Sequence, residues 1–302
     1  MARKVLVGDI GGTNVRFAIG MRSPDGAISL SDVLILPGDD FAEFQDALAK
    51  YLSGFDANPA DEALIAVAGP VSEGRVQLTN RDWLIDASVL AARFGLERVT
   101  LVNDYAAMAR SIPELSQDAF KVIHEGQPSS TPAPILVGGP GTGLGIATLL
   151  PESAGWRVVT GEGGHTAYAP RTDREMALSH ELQRRFDYIS SELVLSGSGL
   201  DAVHKALCAI DGVEWTPLDV TTILSRAQAG DIICHDICVI RAGGVLQALG
   251  DAALINGTRG GVVVTGGVAE RLYDYLCEDE ALERFFQRGP MSPYMLPIPI
   301  RL

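Results

Sequence analysis

VGDIGGTNVR, residues Val7 to Arg16, follows the apolar pair Val5-Leu6 and leads into a second apolar run, Val15 to Gly20. An acidic residue closes one predicted strand, and two glycines and a threonine turn the chain into the next. Gly11 and Gly12 lack Cβ atoms, so their backbone can approach a ligand closely. The turn's exposed N–H groups and the Thr13 hydroxyl are suited to phosphate oxygens. Asp9 is the candidate metal ligand, directly or through water. An ordinary hairpin turn has similar composition, so this stretch alone favours phosphate only modestly.

A second glycine cluster shifts the balance. Ile135 to Leu150 reads ILVGGPGTGLGIATLL, again strand, glycine turn, strand. GGTNVRFAI and GTGLGIATL read as one hairpin written twice. A dinucleotide-binding fingerprint should open a helix, whereas Ile146 to Leu150 continues as a strand that is expected to stop at Pro151. Two phosphate hairpins, one near the start of each half, resemble the duplicated actin-like ATPase superfamily. That resemblance implies an α/β, two-lobed, ribonuclease H-like fold with a duplicated mixed-sheet core and a nucleotide cleft between lobes.

The composition bounds the alternatives. The 302 residues fit two domains. Apolar residues make up 47% of the chain and the net charge is −14, which argues against nucleic acid as a partner. Cys208, Cys234, Cys238 and Cys277 show no disulfide-like spacing, as expected in a reducing compartment. No apolar run is read as a membrane span and no signal-peptide core is seen, so a cytoplasmic protein without a membrane partner is expected.

Periodicity predicts strands at 4–9, 14–21, 27–36, 62–68 and 97–102, and a helix over 41–52. Asp86 is placed as the cap of a helix through 94, stopped by Gly95. The polar, proline-containing stretch 116–134 is the expected lobe boundary. It divides a smaller lobe, 1–115, from a larger one, 116–302, with a return of the last residues to the first lobe left open. Helices are predicted at 174–186, 200–210, 218–228, 232–256 and 268–277. The Gly243-Gly244 pair is marked as a kink candidate in the fourth.

Three constellations stand out. Asn103-Asp104 ends a strand, where α/β sheets bind ligands. Asp104 reads equally well as a proton acceptor or as a helix cap. Glu162 and His165, separated by two glycines, suit a loop and present groups that match sugar hydroxyls; an exposed glycine loop is the plainer alternative. Cys234 and Cys238, at i and i+4, fall short of a zinc site and read as helix-buried thiols.

Taken together, GDIGGTNVRFAI, AVAGPV, LTNRDW, LVNDYAAMA, GGPGTGLGIA, TGEGGHTAYAP, SELVLSGSGL, TRGGVVVTGGVAERL and FFQRGPMSPYMLPIPI resemble the bacterial hexokinase-type glucokinases, in family order. The resemblance implies ATP-dependent transfer of phosphate to the glucose 6-hydroxyl, with Mg2+, and Asp104 as general base. It implies Asn103, Glu162, His165, Glu192 and the Gly143 amide as sugar partners. It assigns Gly8 to Thr13 and Gly141-Thr142-Gly143 to the ATP phosphates, Gly266-Gly267 to the adenosine, and a helical homodimer contact to the larger lobe. No structural zinc is expected, because TAYAPRTDRE follows His165 without a cysteine. The family chain continues past IPxxxI into a helix on the smaller lobe, whereas this sequence stops at Leu302. A kinase for another hexose and a non-catalytic sugar sensor are the competing readings.

Overall fold

The computed structural model describes every residue except Met1, Ala2, Gly12, Asp25, Thr79, Asn80, Pro128 and Ala154. Two compact units divide the chain, Met1–Met108 and Ala109–Leu302.

In the first unit, strands β1 (Arg3–Ile10), β2 (Asn14–Arg22), β3 (Ile28–Pro37), β4 (Glu62–Val67) and β7 (Arg98–Asn103) form a sheet in the order β3-β2-β1-β4-β7. β1 pairs antiparallel with β2 and parallel with β4, and β4 pairs parallel with β7. Leu6, Ile10, Val15, Phe17, Ile65 and Leu101 point into one core. Helix α1 (Phe44–Leu52) closes that core through Phe44, Ala47, Leu48 and Tyr51, with the Phe17 and Tyr51 rings stacked at 5.2 Å. Burial of each such aromatic is worth about 1.5–3 kcal/mol. The helix starts later than the periodicity predicts. A 3-10 turn at Gly38–Asp40 and an extended Glu43 precede it, so Phe41 packs on the core from outside the helix.

A small ribbon, β5 (Arg75–Gln77) with β6 (Leu84–Asp86), was not predicted, because its strands are only three residues each. It delivers Asp86 to the start of α2 (Ala87–Phe94), where the carboxylate accepts from the Ser88 and Val89 amides. Gly95 ends the helix at φ 64°. Helix α3 (Asp104–Ser111) follows β7 directly.

The second unit's sheet runs β11-β10-β9-β12-β13-β8. Its strands are β8 (Val122–His124), β9 (Ile135–Pro140), β10 (Leu144–Glu152), β11 (Gly155–Gly161), β12 (Gly261–Val264) and β13 (Ile300–Arg301). β11-β10-β9 is an antiparallel meander, and β9, β12 and β13 are parallel. This repeats the β3-β2-β1-β4-β7 pattern of the first unit. The last residues therefore belong to the second unit's sheet, where Ile300 pairs with both Val262 and His124. β10 runs through Pro151 instead of stopping there. Its ladder with β9 ends at Leu149, so one side of the strand is unpaired at Pro151 and a missing N–H is tolerated.

Helices α4 (Asp173–Gln183), α5 (Ser191–Leu195), α6 (Leu200–Asp211), α7 (Val220–Gln228), α8 (Ile232–Asn256), α9 (Gly267–Arg271), α10 (Tyr273–Leu276), α11 (Asp279–Phe286) and α12 (Ser292–Met295) complete the unit. α8 spans its predicted range as one helix of 25 residues. Gly243 and Gly244 are packing positions in it and not a break. A Cβ on Gly244 would fall 2.4 Å from Leu195 Cδ2, and one on Gly243 3.3 Å from Arg284 Cγ. α8 also corrects the reading that no run reaches membrane-spanning length: by length and composition it is long and apolar enough to cross a membrane. Its Leu246, Leu249 and Ala253 are buried in the second unit's core, and a core helix shares that composition.

Candidate active site

In the first unit the parallel strands end together. Ile10, Val67 and Asn103 are register partners across β1, β4 and β7, so the loops that follow open at one edge of the sheet. Gly8 and Ile10 are buried ladder residues, not turn residues, and Ile10 offers the turn region only its backbone. Its carbonyl accepts from the Ala68 amide at 3.4 Å. The turn is closed by the Gly11 amide donating to the Asn14 carbonyl at 3.0 Å. Gly12, assigned to the phosphates, lies outside the described residues. Thr13 is exposed, and its carbonyl accepts from the Gly38 amide at 2.9 Å and from Arg81 at 3.4 Å. Asp9 pairs with Arg16, its register partner on β2, at 2.7 Å, with both side chains about half exposed.

The cap of α3 falls to Asn103 and not to Asp104. Asn103 Oδ1 accepts from the Ala106 amide at 3.1 Å and caps α3. Its amide nitrogen donates to the Gly69 carbonyl at 3.2 Å, which ties the β4 and β7 ends together. Asp104 is the first helical residue, half-buried, and its Oδ1 accepts from the Tyr105 amide at 2.9 Å.

In the second unit, Glu192 organises a cluster. Ser190 caps α5 by accepting from the Leu193 amide at 3.1 Å, which places Glu192 in the first helical turn. Its Oε2 accepts from the Leu144 amide at 2.8 Å, and its Oε1 lies 3.7 Å from His165 Nε2. A Cβ on Gly143 would sit 2.6 Å from Glu192 Oε2, so a larger residue would require the carboxylate to move. Glu162 precedes the 3-10 turn Gly163–His165, and its carbonyl accepts from the His165 amide at 3.0 Å. Glu162 and His165 are both exposed. Four of the five assigned sugar partners, Gly143, Glu162, His165 and Glu192, thus lie in one unit.

The turn Gly141–Gly143 stands at the end of β9, with the Gly141 amide donating to the Gly143 carbonyl at 2.8 Å. Gly266, after β12, has φ 101°, and a Cβ there would meet the Pro140 carbonyl at 2.4 Å. The backbone conformation and the space both require glycine, and Gly266-Gly267 lies beside the 141–143 turn. Among the described residues no group of three or more His, Cys, Asp or Glu side chains gathers as a metal site.

Behind the loop that carries Glu162 and His165 lies a brace that sequence reasoning missed. Glu175 sits at the third position of α4, in a capping box with Thr172. It accepts from Tyr168, from the Arg171 amide and from Arg284, the last at 2.8 Å. Burial alone would raise the Glu175 carboxyl; Arg284 and the Arg171 amide outweigh it and lower it below the usual range. Burial, reinforced by Glu175, pushes the Tyr168 hydroxyl well above its ordinary value, so it remains a donor. Tyr188 donates to the His165 carbonyl at 3.0 Å. The T-x-x-E spacing at Thr172 was the one available signal.

The glucokinase family model matches residues 6–302. The glucokinase of Chromobacterium violaceum is 37% identical over 298 residues, covering 98% of this chain and 84% of its own. The crystal structure of glucokinase from an Antarctic psychrotroph superposes with a TM-score of 0.85 at 34% identity, covering 99% of this chain and 94% of that one. A ROK family glucokinase from Streptomyces griseus, in complex with glucose and AMPPNP, superposes at 0.62 with 18% identity and covers 99% and 94%; at that identity the likeness concerns the fold. The match of the glucokinase family model over residues 6–302 places this chain in the glucokinase family.

Proposed function

We propose that the protein phosphorylates D-glucose at the 6-hydroxyl with ATP, and that Asp104 is the general base. The observation that carries this reading is the family match over residues 6–302, which includes every assigned site position. Phosphoryl transfer needs positioning and charge stabilisation more than covalent chemistry. Glu162, His165 and Glu192 offer acceptors and a donor for sugar hydroxyls. Asp104 takes the 6-hydroxyl proton, the oxygen attacks the γ-phosphorus, and ADP departs. The Gly11 and Gly141 amides close their own turns, so the Thr13 hydroxyl and the Gly143 amide are the donors those turns offer to phosphate oxygens.

The donor set fits Mg2+. The ion needs only one or two carboxylates beside water and phosphate oxygens, and Asp9, half exposed beside the turn, supplies one. When bound, it neutralises charge on the phosphates. The chain's own contribution at that point is to hold Asp9 in place, through the Arg16 pair.

Glucose, ATP and Mg2+ in a coupled assay for glucose 6-phosphate test the reading. Asp104→Ala is expected to fold, to bind glucose, and to lose about 10²–10⁴-fold in kcat, the usual contribution of a positioned general base. Near-wild-type kcat in that variant removes Asp104 from the role. Turnover with other hexoses but not with glucose would favour the alternative substrate.

A further inference from the structure

Arg241, in the middle of α8, is 2% exposed. A buried cation is expensive unless it is paired. Among the described residues no carboxylate offsets this one; burial pushes it down to about 10, with only the Cys238 thiol opposing the shift. Its donors go instead to backbone carbonyls. Nε and Nη2 donate to the Leu195 carbonyl at 3.3 and 2.9 Å, and Nη2 also donates to the Ser196 carbonyl. These are orphan carbonyls at the C-terminal end of α5, where a cation is favoured.

The segment that Arg241 holds touches the 141–144 turn at both ends. At one end, Glu192 accepts from the Leu144 amide at 2.8 Å. At the other, the Gly197 amide donates to the Gly141 carbonyl at 2.8 Å and the Ser198 amide to the Thr142 carbonyl at 3.0 Å. Ser196 and Ser198 hydroxyls are bonded at 2.9 Å. Close approach is built in: a Cβ on Gly197 would fall 2.9 Å from the Gly141 carbonyl, and one on Gly199 1.8 Å from the Leu193 carbonyl. Residues 192–198 therefore form a strap, with a carboxylate on one end and the turn's hydrogen bonds on the other.

We infer that Arg241 is a positioning residue that fastens this strap, so that the sugar carboxylate Glu192 and the phosphate turn Gly141–Gly143 keep one fixed relation. The inference rests on the assignment of those two groups to glucose and ATP. Loss of the fastening lets both drift, so the two substrates suffer together, although Arg241 touches neither.

The test compares Arg241→Met, which keeps bulk and removes donors, with Arg241→Lys, which keeps charge and one donor group. Val245→Ala, a buried truncation on the same helix, is the stability control. Arg241→Met is expected to raise KM for glucose and for ATP together by about fivefold or more and to lower kcat by roughly 10–100-fold, the scale of a small misplacement. Arg241→Lys is expected to recover part of each, and Val245→Ala to lower Tm with both KM values unchanged. Hydrogen exchange without substrates reads the strap directly: the Leu144, Gly197 and Ser198 amides are protected in the parent and lose protection in Arg241→Met. A folded Met variant with parent-like constants and protection overturns the inference. So does an unfolded Met variant beside a Lys variant with unchanged constants, which would leave Arg241 a stability residue only. If exposure of the three amides appears while the parent protein fails to phosphorylate glucose, the strap stands and the assigned reaction falls.

Discussion

The two glycine hairpins are built alike and supported differently. In β1-β2 the turn leans on its own unit's periphery: Gly38 and Arg81 hold the Thr13 carbonyl, and an exposed ion pair joins Asp9 to Arg16. In β9-β10 the turn is held through three backbone groups by a strap 48 to 56 residues downstream, whose first helical turn carries Glu192. One fold unit, used twice, has thus been given one turn held at a single carbonyl by Gly38 and Arg81, and one held at three backbone groups by a single strap.

The sharpest way to break that contrast is to add a methyl group to each hairpin. Gly139→Ala places a Cβ 2.0 Å from the Thr265 carbonyl and is expected to lose more than about 4 kcal/mol in denaturant unfolding, the range reserved for overpacking and lost backbone geometry. Gly8→Ala meets Ile65 and Phe17 at 3.4 and 3.5 Å and is expected to stay folded; equal losses in the two variants would end the comparison. Next in size is Glu192→Gln. Loss of a charge-assisted hydrogen bond, about 1.5–3 kcal/mol, predicts a glucose KM roughly 10–100-fold higher, with a smaller change for ATP. An unchanged glucose KM would detach the second turn from sugar binding. The pH dependence of stability should lie with the brace. The Glu175 carboxyl is lowered in the fold, so its contribution is full above the ordinary carboxylate range and is lost as pH falls below it. Thermal melts from pH 6 to pH 3 should therefore converge for the parent and Glu175→Gln. The smallest effect is expected from Arg16→Gln: an exposed pair is worth about 0–1 kcal/mol, so Tm should barely move. A large Tm loss would show that the first turn is framed as firmly as the second.

The hairpins were legible because glycine runs between apolar runs leave few alternatives, and α2 was legible because Asp86 and Gly95 carry both of its caps. α8 was legible from length alone, yet its composition could not say whether lipid or protein surrounds it. Glu192 was one acid near a helix start; its partner amide at Leu144 is 48 residues away, and only tertiary packing brings them together. Arg241 was missed for the same reason, since its partners are the Leu195 and Ser196 carbonyls, 46 and 45 residues away. At Asn103-Asp104 one residue of phase decides the cap: Asn103 takes the capping bond, and Asp104 falls inside the helix.

β13 pairs on one side with β12 and on the other with β8, so His124 waits for Ile300. During synthesis at about 5–20 residues per second, roughly 10–35 s pass between the emergence of the two partners. The first unit has all its strands long before then, while β8 has no neighbour in its sheet. The consequence is a birth order: one half can fold as it leaves the ribosome, and the half that carries Glu162, His165 and Glu192 acquires its closing strand only when residue 301 has been made.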